Sequence, residues 1–281
     1  MCKEEFTRFF SNWNPTGITP KKLLQIFMKT ILLLSLILLS GVFCQSWAKK
    51  PEATWRKLLN DHANCVTWVS VTVRLELSAG GRSIPPQEQK LEALGTIIAE
   101  DGLTVLSLNK VDPSANILSR LRTPGASVNV NYTEVMLLMQ DGTEVPAKLL
   151  LKDVDLDLAF VLPIKERKEE YKDVLFSQVP KKVSEENQPV ILDEVVSIGK
   201  LKKTLYRQST LRRGWVNAVI EKPRKYFVIE NTAPGTPVFD RNGNWLGVVV
   251  YKMVGGRPSE IVTLPAADIL EIAEQVRTRS E

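Results

Sequence analysis

The side chains able to carry acid–base chemistry or to bind a metal are scarce in this sequence of 281 residues. It contains one histidine, His62, and three cysteines, Cys2, Cys44 and Cys65. Histidine and cysteine are the usual ligands of zinc and haem iron, so this composition predicts no metal site and no cofactor. Any chemistry that needs an imidazole must use His62, and the place of that residue in the fold becomes the first question.

Short strands are the elements that would position such side chains. Between residues 69 and 162, and again between residues 194 and 264, short apolar or alternating runs are separated by turn residues such as Gly80-Gly81. This pattern is typical of antiparallel strands. Helical spacing occurs near Trp55–Asn64 and in Ala266–Ala273. The sequence predicts an all-β fold of two antiparallel six-stranded β-barrels, with a short N-terminal helix and a C-terminal helix.

The first 48 residues have the pattern of an export signal. Ile31–Phe43 is an uncharged apolar run of 13 residues, shorter than the roughly 20 that a transmembrane helix needs. A signal peptide that starts at Met28 and is cleaved after Ala48 accounts for this pattern; an uncleaved membrane anchor is the alternative. The sequence thus predicts export to the periplasm or the extracellular space, with membrane contact only through the leader if it is retained.

Cleavage of the leader would change the charge and the cysteine content. The leader holds five basic and two acidic residues, so its removal lowers the formal net charge from +5 to +2. So small an excess predicts no nucleic-acid partner. Cys65 would remain alone, which excludes an intrachain disulfide.

The predicted organisation has four parts after the leader of residues 1–48. They are a first barrel (residues 49–165), a highly charged connection (166–187), a second barrel (188–265) and a terminal helix (266–281). Within the charged connection, Val174–Val179 has the pattern of one further strand.

Six segments, in order along the chain, resemble motifs of a known protein family. They look like the hairpins, strands and loops of the chymotrypsin-like fold, specifically the protease domain of bacterial HtrA-type trypsin-like serine proteases. The segments are Leu94–Gly102, Val135–Leu151, Asp155–Phe160, Glu194–Gly199, Arg213–Ala218 and Pro234–Val248. The resemblance covers roughly residues 62–275. It implies two barrels with a cleft between them and a Ser-His-Asp triad in that cleft.

The resemblance also implies where the acidic and basic members of the triad should lie. The aspartate position is Asp157. The histidine position is Lys110 when the alignment is anchored on Val111, or Asn109 when it is counted from Gly102. Neither residue is a histidine, so the general base of such proteases is missing on both alignments.

The nucleophile loop of the resemblance is altered as well. Aligned on Pro237, the serine position falls on Pro234, and on either alignment Thr236 is the hydroxyl left in the loop. A proline has no N–H to donate to an oxyanion. His62 lies 48 residues before Lys110, outside the implied site. The triad is therefore predicted to be degenerate.

These substitutions predict a trypsin-like protease homologue that is catalytically inactive and binds a peptide or protein in the cleft between the barrels. Two alternatives remain: an active hydrolase with an unusual centre at Thr236 or Lys110, and a structural component of the envelope. An ion pair is expected between Lys110 and Asp157. If it is buried, the change Lys110→Met should destabilise the fold by about 3 kcal/mol or more.

A basic stretch follows the first strand of the second barrel. It comprises Lys200, Lys202, Lys203, Arg207, Arg212 and Arg213. Such a stretch predicts a solvated loop or, alternatively, a surface for an anionic partner or a membrane.

Overall fold

The computed structural model describes residues 29, 51–80, 82–121, 125–180 and 188–280. Apart from Lys29, the predicted leader with Cys2 and Cys44 lies outside the described residues, as does the last part of the charged connection. No helix in the described part of the chain has the length and apolar character needed to cross a bilayer.

The first barrel is a closed antiparallel sheet of six strands, arranged in the order β1-β2-β3-β6-β5-β4. The strands are β1 (Val66–Ala79), β2 (Arg82–Ile97), β3 (Thr104–Ser107), β4 (Ser127–Leu138), β5 (Glu144–Asp153) and β6 (Leu158–Pro163). Helix α1 (Pro51–His62) precedes this barrel, and helix α2 (Ser114–Leu121) connects β3 to β4. Helix α2 has no counterpart in the sequence prediction, because eight residues show barely two turns of periodicity.

The second barrel is also closed and has six strands, in the order β10-β11-β12-β9-β8-β7. The strands are β7 (Glu194–Lys200), β8 (Ser209–Ile220), β9 (Tyr226–Ile229), β10 (Pro237–Phe239), β11 (Trp245–Val254) and β12 (Arg257–Pro265). Helix α3 (Ala266–Ser280) ends the described chain and buries Ile269, Ala273 and Val276 at helical spacing. The predicted fold class, two six-stranded barrels with a helix at each end, is confirmed.

Apolar side chains turned inward explain why these segments close into barrels. In β1, Val69, Val71 and Val73 are buried, whereas Arg74 and Glu76 are exposed. An alternating strand buries one face only, and closure removes the edges that an open sheet would leave unpaired.

The barrels share an apolar core at their junction. One buried cluster contains Val105 and Phe160 from the first barrel together with Val196 and Trp245 from the second. This shared packing holds the loops at the junction in a fixed relation, and these loops carry the candidate site.

The strand predicted at Val174–Val179 is not formed. These residues have no regular secondary structure. The Val179 side chain is 2% exposed, and its amide donates one hydrogen bond to the carbonyl of Ile97 at 3.0 Å. The segment is apolar because Val179 fills the core, not because it pairs in a ladder.

Candidate functional site

Asp157 is the aspartate of the implied triad, and it is deeply buried at the junction of the barrels. It precedes β6 in a left-handed conformation (φ 57°) and is 1% exposed. Its carboxylate accepts three hydrogen bonds: from the Ser107 hydroxyl at 2.6 Å, the Asn109 amide at 2.7 Å and the Tyr251 amide at 2.8 Å. The bond from Tyr251 links the first barrel to β11 of the second.

Burial raises the pKa of Asp157 above its usual value. The three hydrogen bonds and the positive charge of Lys110 act in the opposite direction and leave the pKa raised. A carboxylate has about four acceptor positions, and here three are taken by donors of the chain itself. In a triad one oxygen would orient a histidine. In this chain Oδ2 joins β3 to β11, and Oδ1 binds the backbone amide of Asn109 in the turn that follows β3.

Lys110, one of the two residues that the resemblance implies at the histidine position, lies near this carboxylate but does not pair with it. The residue ends a short 3-10 turn, Leu108–Lys110, and is exposed. Its ammonium lies 5.4 Å from the centre of the Tyr251 ring. Among the ion pairs of the described residues, none joins Lys110 to Asp157.

The expected Lys110–Asp157 ion pair is therefore wrong, and the reason is solvation. Neutral donors already satisfy the buried carboxylate, so it needs no ammonium. The ammonium of an exposed lysine can stay in contact with water and also lie over the face of an aromatic ring. Asn109, the other candidate for the histidine position, contributes its backbone amide to the carboxylate.

His62 lies elsewhere, at the end of α1. Its ring stacks on Phe239 of β10, with ring centres 5.2 Å apart and an interplanar angle of 12°. Burial lowers the pKa of His62, and the nearby charge of Asp61 opposes that shift. The half-buried His62 ring therefore packs against the second barrel. None of the three hydrogen bonds to Asp157 comes from His62.

The loop that should carry the nucleophile holds Thr236 in a buried position. Thr236 is 2% exposed, and its hydroxyl donates to the carbonyl of Ala233 at 2.6 Å. Its oxygen also lies 2.7 Å from the Ser197 hydroxyl. Because the single proton of Thr236 is used on Ala233, Ser197 is the donor in that second bond.

Backbone N–H groups in this loop are directed into the protein. The amide of Gly235 donates to the carbonyl of Val249 at 2.7 Å, and that of Thr236 donates to Ala233 at 3.2 Å. Pro234, at the serine position, has none. An oxyanion hole requires amides aimed at the reacting carbonyl, and the amides of Gly235 and Thr236 are already used.

Gly235 also brings this loop into direct contact with the first barrel. It has a φ of +88°, and a Cβ added there would lie 1.9 Å from the carbonyl oxygen of Leu94. The hydroxyl of Thr96 donates to the Gly235 carbonyl at 2.9 Å. Strand β2 therefore packs directly against the Thr236 loop.

The Asp157 corner and the Thr236 loop meet on the same strand. Asp157 binds the amide of Tyr251, and the Thr236 loop binds Val249, two residues earlier on β11. Two residues of extended strand span about 7 Å. The structure thus brings together the implied positions Lys110, Asp157 and 234–236, and leaves His62 out.

Comparison with solved structures supports this architecture. The chain is similar to the serine endoprotease from Yersinia pestis, with a TM-score of 0.52 and 15% sequence identity over 79% of this chain and 66% of that chain. The chain has the chymotrypsin-like fold. No protein-family model and no curated protein matches the sequence. The matching part spans about two thirds of the Yersinia chain, and at this identity the likeness extends to the fold alone.

Sequence reasoning missed the partners of the key groups. Ser107 and Tyr251, which bind Asp157, and Ser197, which binds Thr236, come from strands far away in the sequence. The available signal was a serine at the end of a buried apolar run, Leu103–Leu108. A hydroxyl inside such a run needs a buried partner.

Proposed function

We propose that this protein is an exported, trypsin-fold pseudoprotease that binds an extended peptide or protein segment in the cleft between its barrels. The observation that carries the proposal is the state of the Thr236 loop. Its hydroxyl is buried and hydrogen-bonded, and the amides of Gly235 and Thr236 donate to backbone carbonyls.

The lack of a base supports inactivity as well. Lys110 is exposed and its ammonium lies over the Tyr251 ring, whereas the hydroxyl of Thr236 bonds to Ala233 and Ser197 and not to Lys110. Donors of the chain take three of the roughly four acceptor positions of the Asp157 carboxylate. These two residues and Thr236 therefore do not form a nucleophile–base pair of the kind that acyl transfer requires.

The edge of β11 supports peptide binding. Strand β10 pairs with β11 only through Trp245, Gly247 and Val248, although β11 continues to Val254. On this side the amide of Tyr251 meets Asp157, so the side faces the first barrel. The stretch Lys252–Val254 lies beyond that contact, and on this side it pairs with none of the strands that the structure describes. An unpaired edge in a cleft can accept an extended peptide as an added strand.

A peptidase assay tests the inactive state. We expect no turnover of casein or fluorogenic peptides and no labelling by a fluorophosphonate probe. The variants Thr236→Ala and Lys110→Ala serve as controls for contaminating activity. Turnover in the wild-type protein that either variant abolishes would support the alternative, an active hydrolase with a centre at Thr236 or Lys110.

Photo-crosslinking tests the binding edge. A photoreactive amino acid is placed at Met253 on the β11 edge, or at Leu192, which is 73% exposed and whose amide bonds to β8. In cells we expect Met253 to form a discrete adduct with a peptide or protein that Leu192 does not form. Equal adducts at both positions, or none, would favour a structural role in the envelope over ligand binding.

A further inference from the structure

The loop between β7 and β8, residues Leu201–Gln208, is held rigidly at its base. The amide of Leu201 donates to the carbonyl of Gln208 at 2.9 Å, which closes the loop. The indole N–H of Trp68 in the first barrel donates to the Leu201 carbonyl at 2.8 Å. A 3-10 turn, Lys203–Leu205, fills the middle. We refer to Leu201–Gln208 as the β7–β8 loop.

Two large side chains project from the tip of this loop. Tyr206 is 90% exposed and Leu205 is 56% exposed. Tyr206 and Arg207 both have positive φ, 54° and 49°, a conformation that residues other than glycine seldom adopt. The amide of Tyr206 donates to the carbonyl of Lys203 at 3.0 Å. The tip is thus held in a strained conformation that keeps an aromatic and an aliphatic side chain in solvent.

Unpaired positive charge surrounds the tip. Residues 200–220 contain six basic and no acidic residues. Lys200 is buried and Arg213 pairs with Glu194. The three basic residues of the loop itself, Lys202, Lys203 and Arg207, form no ion pair with any residue that the structure describes.

We infer that the β7–β8 loop docks on the surface of an anionic lipid bilayer. Tyrosine is favoured at the headgroup level, where its ring is apolar and its hydroxyl stays wet, and a neighbouring leucine can enter the acyl boundary. Each lysine or arginine beside them raises the affinity for an anionic surface about fivefold when it lies near the headgroups. This contact is separate from the predicted leader and does not depend on ligand binding in the cleft.

The combination of apolar tip and charge distinguishes a bilayer from other anionic partners. A soluble polyanion would use the three basic residues alone, because it offers no apolar layer for Leu205 and Tyr206. The exposed side chain of Leu175 lacks this surrounding. Leu175 is 89% exposed but lies two residues from Asp173. It is therefore a matched control for Tyr206, which has nearly the same exposure.

Lipid photo-crosslinking on the full chain provides the test. A benzoylphenylalanine replaces Tyr206 in one protein and Leu175 in another, and each is mixed with phosphatidylcholine vesicles, with or without equimolar phosphatidylglycerol. Adducts to lipid are counted by mass spectrometry. Any membrane contact made by the N-terminal apolar run affects both proteins equally, so the ratio of adduct yields at positions 206 and 175 is independent of it. We expect a severalfold higher yield at 206 than at 175 on anionic vesicles, lost in 1 M salt, where charges are screened beyond about 3 Å.

Charge and side-chain variants separate the contributions. In the position-206 protein, Lys202→Glu with Lys203→Glu should lower the lipid adduct roughly tenfold or more. Lys165→Glu with Lys168→Glu, in a turn that also contains Glu166, Glu169 and Glu170, should leave it unchanged. Equal yields at 206 and 175, or a yield at 206 that ignores phosphatidylglycerol, would overturn the inference.

A second measurement tests whether Leu205 and Tyr206 contribute to vesicle binding in addition to the basic residues. In vesicle flotation, Leu205→Ser with Tyr206→Ser should weaken the dependence on phosphatidylglycerol severalfold, whereas Leu175→Ser should not. Both positions are exposed, so neither variant should alter the far-ultraviolet circular dichroism or the melting temperature. If the Leu205→Ser/Tyr206→Ser variant floats as well as the wild type, the apolar tip does not contact the bilayer and the proposed docking of the β7–β8 loop is overturned.

Discussion

The Asp157 corner of the first barrel and the Thr236 loop of the second differ in different ways from the arrangement that the resemblance implies. Asp157 keeps the residue type, yet its carboxylate now joins β3, the following turn and β11. The Thr236 loop keeps a hydroxyl, yet it buries that hydroxyl and presses Gly235 against β2. In both regions a polar group at an implied catalytic position is buried and held by hydrogen bonds within the chain. Substitutions should therefore change stability before they change any activity.

The largest effect is expected from removing the Asp157 carboxylate. Asp157→Ala leaves the hydroxyl of Ser107 and the amides of Asn109 and Tyr251 without their acceptor. Each unsatisfied buried group costs about 1–3 kcal/mol, so the free energy of unfolding should fall by about 3 kcal/mol or more. Urea denaturation measures it. A loss below about 1 kcal/mol would mean that water replaces the carboxylate and that the corner is not structural.

Gly235→Ala, in the Thr236 loop, should lower the free energy of unfolding by a similar or slightly smaller amount. The added Cβ would meet the Leu94 carbonyl at 1.9 Å in a backbone conformation with φ +88°. Overpacking and left-handed strain together predict a loss of about 2–4 kcal/mol. Gly142→Ala is the matched control: its φ is +96°, with nothing within 4 Å of the new Cβ. If both variants lose the same stability, the contact with β2 contributes nothing.

Thr236→Val tests whether the hydroxyl is structural. Valine keeps the shape but leaves the Ser197 hydroxyl without its acceptor and the Ala233 carbonyl with one donor fewer. We expect a loss of about 1–2 kcal/mol in thermal or urea unfolding. Thr236→Ser, which retains the hydroxyl, should lose less. The double variant Ser197→Ala/Thr236→Val should lose less than the sum of the single changes, because the partners are removed together.

The pH dependence of stability should differ between Asp157 and Asp101. Burial raises the pKa of Asp157. Between the unfolded and the raised folded pKa, the folded state binds more protons, so this contribution to stability falls as pH rises. Burial also acts to raise the pKa of Asp101, but its bonds to Arg277 and the Leu103 amide outweigh burial and lower it. Stability from Asp101 is therefore lost as pH falls through its folded pKa.

Unfolding free energies measured from acid to neutral pH separate these two groups. Relative to Asp157→Asn, the wild-type protein should lose stability as pH rises. Relative to Asp101→Asn, it should gain stability over the acid range. A rising difference for Asp157 would show that its hydrogen bonds outweigh burial.

Sequence reasoning predicted the barrels but only part of the site, and the reason is the range of the interactions. Period-two burial in β1 is local, so it could be read directly from Val69, Val71 and Val73. The prediction that Lys110 or Asn109 stands at the histidine position needed only the order of motifs. The role of Asp157 could not be read in this way, because one of its donors, Tyr251, lies 94 residues away on the other barrel. From the sequence alone, an ion pair with Lys110 was the simplest interpretation for Asp157, an acid beside a base.

The smallest change in stability is expected from substituting Lys110. This substitution distinguishes most clearly between the expected Lys110–Asp157 ion pair and the contacts seen in the structure. The exposed ammonium contacts the ring of Tyr251 at 5.4 Å, a contact worth about 0.5–1 kcal/mol at an exposed site. Lys110→Met keeps the stem, so its unfolding free energy should change by less than about 1 kcal/mol rather than by the 3 kcal/mol of a broken buried pair.

Lys152→Met is the comparison for Lys110→Met. Lys152 lies 4.8 Å from the Tyr132 ring and also 3.8 Å from the Asp112 carboxylate, whose side chain is 12% exposed. The same change should therefore lose more stability at 152 than at 110, since an ion pair is broken in addition to the ring contact. A larger loss of stability at Lys110 than at Lys152 would indicate that Lys110 pairs with Asp157 after all. The first barrel would then contain a charged pair at the implied site, whereas the Thr236 loop of the second barrel has none.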